Sequence, residues 1–200
     1  GRRGRSWVSP FAQNLYFSVG FEFRGGVDKL AGLSLVVGIA CAKALESLGV
    51  QGLQLKWPND VWLDQRKLAG VLVELRGEPT TAWQVVVGVG LNVHMSAELG
   101  ADIEQPWISL SEIKRFSRND LAIAMIGRLY ECIEQFKDTG FSAFLSDWAS
   151  LDALKGKRVT INDGAKQGIA VGVDVTGALL LDAGSGIESV NAGEVSVRAQ

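Results

Sequence analysis

The sequence predicts an α+β protein: a mixed β-sheet with helices packed on one side over residues 1–153, then a small β-rich unit over residues 154–200. Two observations carry this prediction. Between Leu30 and Leu151, three stretches with apolar residues at helical spacing alternate with short runs rich in Val, Leu and Trp. Beyond Lys157 only short β-prone runs remain, separated by Asn162-Asp163-Gly164, Thr176-Gly177, Gly184-Ser185-Gly186 and Ala192-Gly193-Glu194, the pattern of a small barrel or sandwich. Two hundred residues, 47% of them apolar, with eight Phe and six Trp, suffice for a substantial core. A terminal unit of about 45 residues is near the lower limit for independent stability and should lean on the main domain.

Asn14 to Phe23 reads as a strand, closed by Arg24-Gly25-Gly26. Leu30 to Leu48 reads as a helix with a wide apolar face, wetted by Lys43, Glu46 and Ser47 and capped by Gly49. Ser34 and Gly38 are small enough to let this helix lie close on a sheet. Leu53–Trp57, Val61–Leu63, Lys67–Leu75 and Trp83–Val93 follow as strands, the last interrupted by Gly88 and Gly90. Glycine inside a strand marks either a bulge or a ligand lying on the backbone. Residues 96–106 read as loop. Leu121 to Phe136 forms a second helix with Ala122, Ile126, Leu129, Ile133 and Phe136 on one face, started by Ser117 with Asp120 and stopped by Gly140. Phe141 to Leu151 is a short third helix with Phe141, Phe144, Leu145 and Trp148 inside. The runs Arg158–Ile161, Ile169–Val175, Ala178–Leu181, Ile187–Val190 and Val195–Arg198 make up the β-rich unit.

The chain is organised around residues 56–70, KWPNDVWLDQRKLAG. Pro58 lacks an amide hydrogen and breaks a ladder there. Asn59-Asp60 shape a turn, and Asp64-Gln65-Arg66 reverse the chain. The hairpin returns Lys67 towards Asn59 and Asp60, framed by Trp57 and Trp62. Taken alone, WPND is also simply a polar turn between two strands. A second stretch, Gly1-Arg2-Arg3-Gly4-Arg5-Ser6-Trp7, combines glycines that admit a ligand to the backbone with arginine forks that bind carboxylate or phosphate oxygens. By itself it reads equally as a basic terminus.

GRRGRSW, KWPNDVWLDQRKLAG and Gly88-Val89-Gly90-Leu91-Asn92 occur in this order. In that combination the whole chain resembles the bacterial biotin–protein ligases. The resemblance implies a class II aminoacyl-tRNA synthetase-like catalytic domain and a C-terminal SH3-like β unit. It implies ATP-dependent attachment of biotin to a lysine of a biotin carboxyl carrier protein through biotinyl-AMP. ATP, biotin and Mg2+ are the expected ligands. Lys67 and Arg2 take the catalytic positions. Gly1, Arg2, Lys67, Gly70, Leu72, Gly88 and Val89 take the biotin-binding positions, and Arg5, Trp7, Asn59, Asp60, Gly90 and Asn92 the nucleotide-binding ones. No residue is assigned to a metal. The family pattern has further sequence upstream, with Ser/Thr and Gln contacts to biotin, so a piece of a longer protein is expected. Gly1 to Trp7 has little to bury without a ligand and is expected to close over a bound acyl-adenylate.

Other readings are a lipoate ligase or octanoyl transferase of related architecture, and a biotin-sensing transcriptional repressor. A net charge of −2 argues against general nucleic-acid binding. His94 is the single histidine and reads as a polar residue at a strand end, so a catalytic zinc site is not expected. Cys41 and Cys132 lie in different helices and suggest a reduced compartment. With no run of about 18 apolar residues and no secretory signal, a cytoplasmic protein is expected, a homodimer being possible and a membrane partner not expected.

Overall fold

The computed structural model describes residues 7–76, 82–192 and 197–199. Strand β1 (Leu15–Phe23) leads to helix α1 (Leu33–Ser47), then β2 (Leu53–Lys56), β3 (Asp60–Leu63), β4 (Arg66–Arg76) and β5 (Trp83–Leu91). These strands form one sheet in the order β1-β5-β4-β3-β2. Every strand pair in it is antiparallel, not mixed as the sequence suggested. Short reversals join β2 to β3 and β3 to β4, and such connections permit only antiparallel neighbours. Parallel pairing among the described residues is limited to the isolated bridges Leu55–Asp152 and Lys67–Trp107. Helix α1 carries the chain from the β1 edge to the β2 edge.

Helix α1 is buried nearly all round rather than on one face. It is covered by the sheet on one side and by α2 (Arg118–Thr139) on the other, and a helix enclosed in this way loses its polar stripe. Its burial also corrects the expectation about apolar runs: Val27–Ser47 is long and apolar enough to cross a membrane, because core burial selects the same composition. The helix ends in a Schellman motif. Gly49 adopts φ 87°, its N–H donates to Glu46 O at 2.9 Å, and Val50 N–H donates to Leu45 O at 3.1 Å.

Helix α2 starts where Ser117 Oγ accepts from Asp120 N–H at 3.3 Å and stops at Gly140, φ 66°. It buries Leu121, Met125, Leu129, Cys132, Ile133 and Phe136. Ile126, expected inside, is 42% exposed: the apolar stripe is turned by about one residue from the predicted one. A 3-10 turn over Phe141–Phe144 then leads into α3 (Leu145–Leu151).

The second sheet has the order β10-β6-β7-β8-β9, all antiparallel: β6 (Arg158–Ile161), β7 (Lys166–Val173), β8 (Leu179–Asp182), β9 (Ile187–Val190) and β10 (Val197–Ala199). Trp57, 1% exposed, joins the two units: its Nε1 donates to Gly177 O at 3.0 Å.

Candidate functional site

Alternation along the strands of the first sheet gives it two unlike faces. Val85, Val87, Val89 and Leu91 of β5, with Ala69 and Val71 of β4, are buried on the helix side. The opposite side of the same strands presents Gly88 and Gly90 of β5, Gly70 of β4 and Ser18 of β1. Gly70 pairs with Gly90, which pairs with Tyr16; Leu72 pairs with Gly88, which pairs with Ser18. Three missing side chains in adjacent positions leave a trough. The resulting cavity, about 420 Å³, is lined by Trp7, Tyr16, Phe17, Ser18, Asn59, Lys67, Gly70, Val71, Leu72, Gly88, Val89 and Gly90. Val71 and Val89 point their side chains into the core, so they contribute backbone to it.

Trp7 lies on the glycine floor. A β-carbon on Gly70 would stand 2.9 Å from Trp7 Cζ3, and one on Gly90 would stand 2.8 Å from Trp7 Cζ2. The indole therefore needs both glycines. Tyr16 meets it edge-on, with ring centroids 6.5 Å apart, and Lys67 Nζ lies 5.2 Å from its ring centroid.

Lys67 reaches the trough because of a bulge. Near the β3–β4 turn, Leu63 faces Arg66 and Trp62 faces Lys67, but Val61 then faces Ala69, which leaves Leu68 as the extra residue. Without it, Lys67 would share a face with Ala69 and Val71, which point into the core. One extra residue moves it to the face of Gly70 and Leu72. The turn itself holds Asp64 and Gln65 at φ 49° and 60°, as a two-residue hairpin with both central residues left-handed requires. Lys67 Nζ meets Asp60 Oδ1 at 2.7 Å, each side chain 14% exposed. That ion contact is the only partner of the buried Asp60 oxygen among the described residues; it makes no regular hydrogen bond. The Lys67 backbone is braced too: its N–H donates to Pro106 O, and its carbonyl accepts from Ile108 N–H, both at 3.0 Å.

Asn59 lines the cavity, and its Nδ2 donates to Val71 O at 2.7 Å. Asn92 does not line it. This residue is 4% exposed, and its Nδ2 donates to Ile108 O at 3.2 Å and Lys67 O at 3.4 Å. Expected to contact nucleotide, Asn92 lies outside the cavity lining, and its amide nitrogen is occupied in holding the segment around Lys67. Trp57 does not frame the trough either, because it is buried against the second unit. Trp62 shares the Lys67 face but lies under the Lys56 ammonium, 4.8 Å from its ring centroid, outside the cavity lining. Gly1, Arg2, Arg3 and Arg5 lie outside the described residues. The sequence reading missed Tyr16, Phe17 and Ser18; the available signal was Ser18 and Gly20 alternating with apolar residues in β1. Burial pushes the Cys41 thiol up to about 12 and raises Cys132 as well, so neither is a nucleophile at neutral pH.

Comparison with known proteins places this trough in a family. Residues 1–92 match the biotin/lipoate A/B protein ligase family, and residues 156–198 match the biotin protein ligase C-terminal domain. The biotin--[acetyl-CoA-carboxylase] ligase of Paracoccus denitrificans is 31% identical over 98% of this chain and 84% of its own length. The chain belongs to the biotin–protein ligase family. Another family member, the bifunctional ligase/repressor BirA of Escherichia coli K12, is 42% identical over the whole chain, which spans 63% of that protein's length. Among solved structures, the biotin protein ligase from Aquifex aeolicus in complex with biotin and ATP matches with a TM-score of 0.84 at 30% identity, covering all of this chain and 84% of that one. The biotin–protein ligase fold, with its class II synthetase-like catalytic domain and C-terminal domain, is the architecture described above.

Proposed function

We propose that this protein attaches biotin to a specific lysine of a biotin carboxyl carrier protein, using ATP and passing through biotinyl-AMP. The observation that carries this reading is the glycine-floored trough with one ion-paired lysine on its face. A thin, partly apolar ring system and its aliphatic chain suit a floor of Gly70, Leu72, Gly88 and Val89 backbone. The relatives' names support the ligand, and so does the solved neighbour with biotin and ATP.

In the first step a biotin carboxylate oxygen forms a bond to the α-phosphorus of ATP. The bond from that phosphorus to the bridging oxygen breaks, and pyrophosphate leaves. Both reactants are anions, so the site must supply fixed positive charge. Lys67 supplies it, and Asp60 holds the ammonium in place before the reaction, which removes the cost of orienting it later. Arg2 and Arg5 add charge from the glycine-arginine stretch. Asn59, Asp60, Trp7 and Gly90 border the nucleotide, Trp7 through its ring face. Magnesium neutralises phosphate oxygens when bound. Among the described residues the cavity lining contains no carboxylate and Asp60 stands beside it, so Asp60 would be the nearby carboxylate for a cation that arrives with the phosphates. In the second step the carrier amine attacks the acyl carbon, AMP leaves with the electron pair, and the amine proton passes to solvent. The acyl-adenylate is already activated, so placing the amine is the main requirement.

We assign residues 1–153 to the catalytic unit and 154–200 to an SH3-like C-terminal unit. ATP as co-substrate and two buried free thiols suit the cytoplasm. The test is pyrophosphate release by the native protein with ATP and either biotin or lipoate, followed by avidin detection of an apo-carrier. Biotin-dependent release and labelling are expected. Release with lipoate but not biotin would transfer the protein to the lipoate branch.

A further inference from the structure

We propose that the turn Asp174–Ala178 of the second unit is a positioning element for Lys67, acting through Trp57 and the segment 57–60; this rests on the functional reading above. The turn is tightly determined. Asp174 Oδ1 accepts from Thr176 N–H at 2.8 Å, Thr176 Oγ1 at 2.7 Å and Ala178 N–H at 3.1 Å, while Oδ2 accepts from Ser189 Oγ at 3.2 Å. These bonds hold Gly177 at φ 81° and aim its carbonyl at Trp57 Nε1, 3.0 Å away. The turn also abuts α1, because a β-carbon on Gly177 would lie 2.8 Å from Gly32 Cα. It has no room to drift inwards.

From Trp57 the constraint passes along four consecutive residues, each tied to a different place. Pro58 O accepts from Ser34 Oγ of α1 at 3.0 Å. Asn59 exchanges two bonds with Val71 of β4, at 2.7 and 2.9 Å. Asp60 meets the Lys67 ammonium at 2.7 Å. Only the Trp57 tie leaves the first unit, and it is buried, so moving the ring would strand the indole N–H without water or acceptor. Asp60 sets where the Lys67 charge sits. The turn Asp174–Ala178 therefore helps set it as well, from a different sheet. Biotin's floor belongs to β4 and β5, and their mutual pairing holds it in addition to the Asn59 and Asp60 contacts with Val71 and Gly70, so it responds less to this path than the Lys67 ammonium does.

The test uses the native protein. Trp57→Phe keeps the aromatic bulk and removes the donor; Asp174→Ala loosens the turn from its exposed side and leaves the core intact. Both should slow single-turnover pyrophosphate release by about 10-fold or more, the scale expected for a small misplacement of a reacting group. Binding stoichiometry should stay at the wild-type value, and biotin affinity should change much less than the rate. Asp174→Asn, which keeps an acceptor oxygen, should restore most of the rate. Wild-type release rates in both Trp57→Phe and Asp174→Ala would overturn the proposal. So would a rate loss matched by lost biotin stoichiometry, which is the signature of a general folding defect. Absence of biotin-dependent release from the wild type would instead overturn the functional reading itself.

Discussion

The two faces of the first sheet are built from the same strands and do opposite work. On the helix side every position of β5 from Val85 to Leu91 that faces inward is a branched aliphatic residue, and all are buried. On the other side two of the intervening positions are glycine, and the neighbouring strands contribute Gly70, Ser18 and Lys67. Burial of apolar area stabilises the first face; the second gives up that gain to keep space for a ligand. Stability and chemistry are thus separated by a strand's alternation rather than by distance. Substitutions on the two faces should separate the same way.

The largest expected effect is on the packed face. Phe23, 6% exposed, packs its ring against Phe136 at 5.9 Å. Phe23→Ala should cost about 3–5 kcal/mol in urea unfolding, with pyrophosphate release per folded molecule unchanged. A large rate loss at full folding would break the separation. On the open face, Lys67→Ala should slow adenylate formation by on the order of 10²-fold or more, with a much smaller change in biotin affinity. The reason is that the cation matters most where charge is redistributed. Pre-steady-state pyrophosphate release beside biotin titration decides this, and a normal rate would make Lys67 a structural residue.

Gly88→Ala is subtler. Among the described residues its β-carbon would meet no atom closer than 3.7 Å, so folding should be unaffected. The methyl would stand in the trough and weaken biotin binding by about 1–3 kcal/mol, the usual cost of overpacking. Gly20→Ala sharpens the comparison: it lies on the same face, a β-carbon there meets no atom of the described residues within 4 Å, and it is outside the cavity lining. It should change neither stability nor affinity in the same two assays.

The smallest effect concerns the junction between the units. Burial raises the Asp152 carboxyl above its ordinary range, against the Leu154 N–H bond to Oδ1 at 2.9 Å and the nearby Lys155 charge, which pull it down. A carboxyl raised in the folded state binds its proton more tightly there than in the unfolded chain. Stability is therefore lost as pH rises from the ordinary carboxylate value through the raised one. Asp152→Asn should be slightly more stable than wild type above that window, and the gap should close below it. Urea midpoints measured across acidic and neutral pH test the sign.

Much of this was legible from residues alone, because local physics dictates it. Gly49 and Gly140 end their helices, Ser117 starts one, and Asp64-Gln65 reverses a hairpin, since each depends on a few neighbouring dihedrals and bonds. The trough-floor glycines stood out because glycine inside a strand has few other uses. The return of Lys67 to Asp60 followed from hairpin length. What the sequence could not decide depends on partners distant in the chain. The pairing of β1 with β5 brings Tyr16 and Ser18 to the glycines. The extra residue at Leu68 turns Lys67 out of the core, and no propensity marks that position. That Trp57 is tied to Gly177 and Asn92 to Ile108 was equally hidden, because burial and hydrogen-bond partners are properties of the assembled fold. The nearly complete burial of α1 likewise follows from the layers that close around it, which the sequence of the helix alone does not contain.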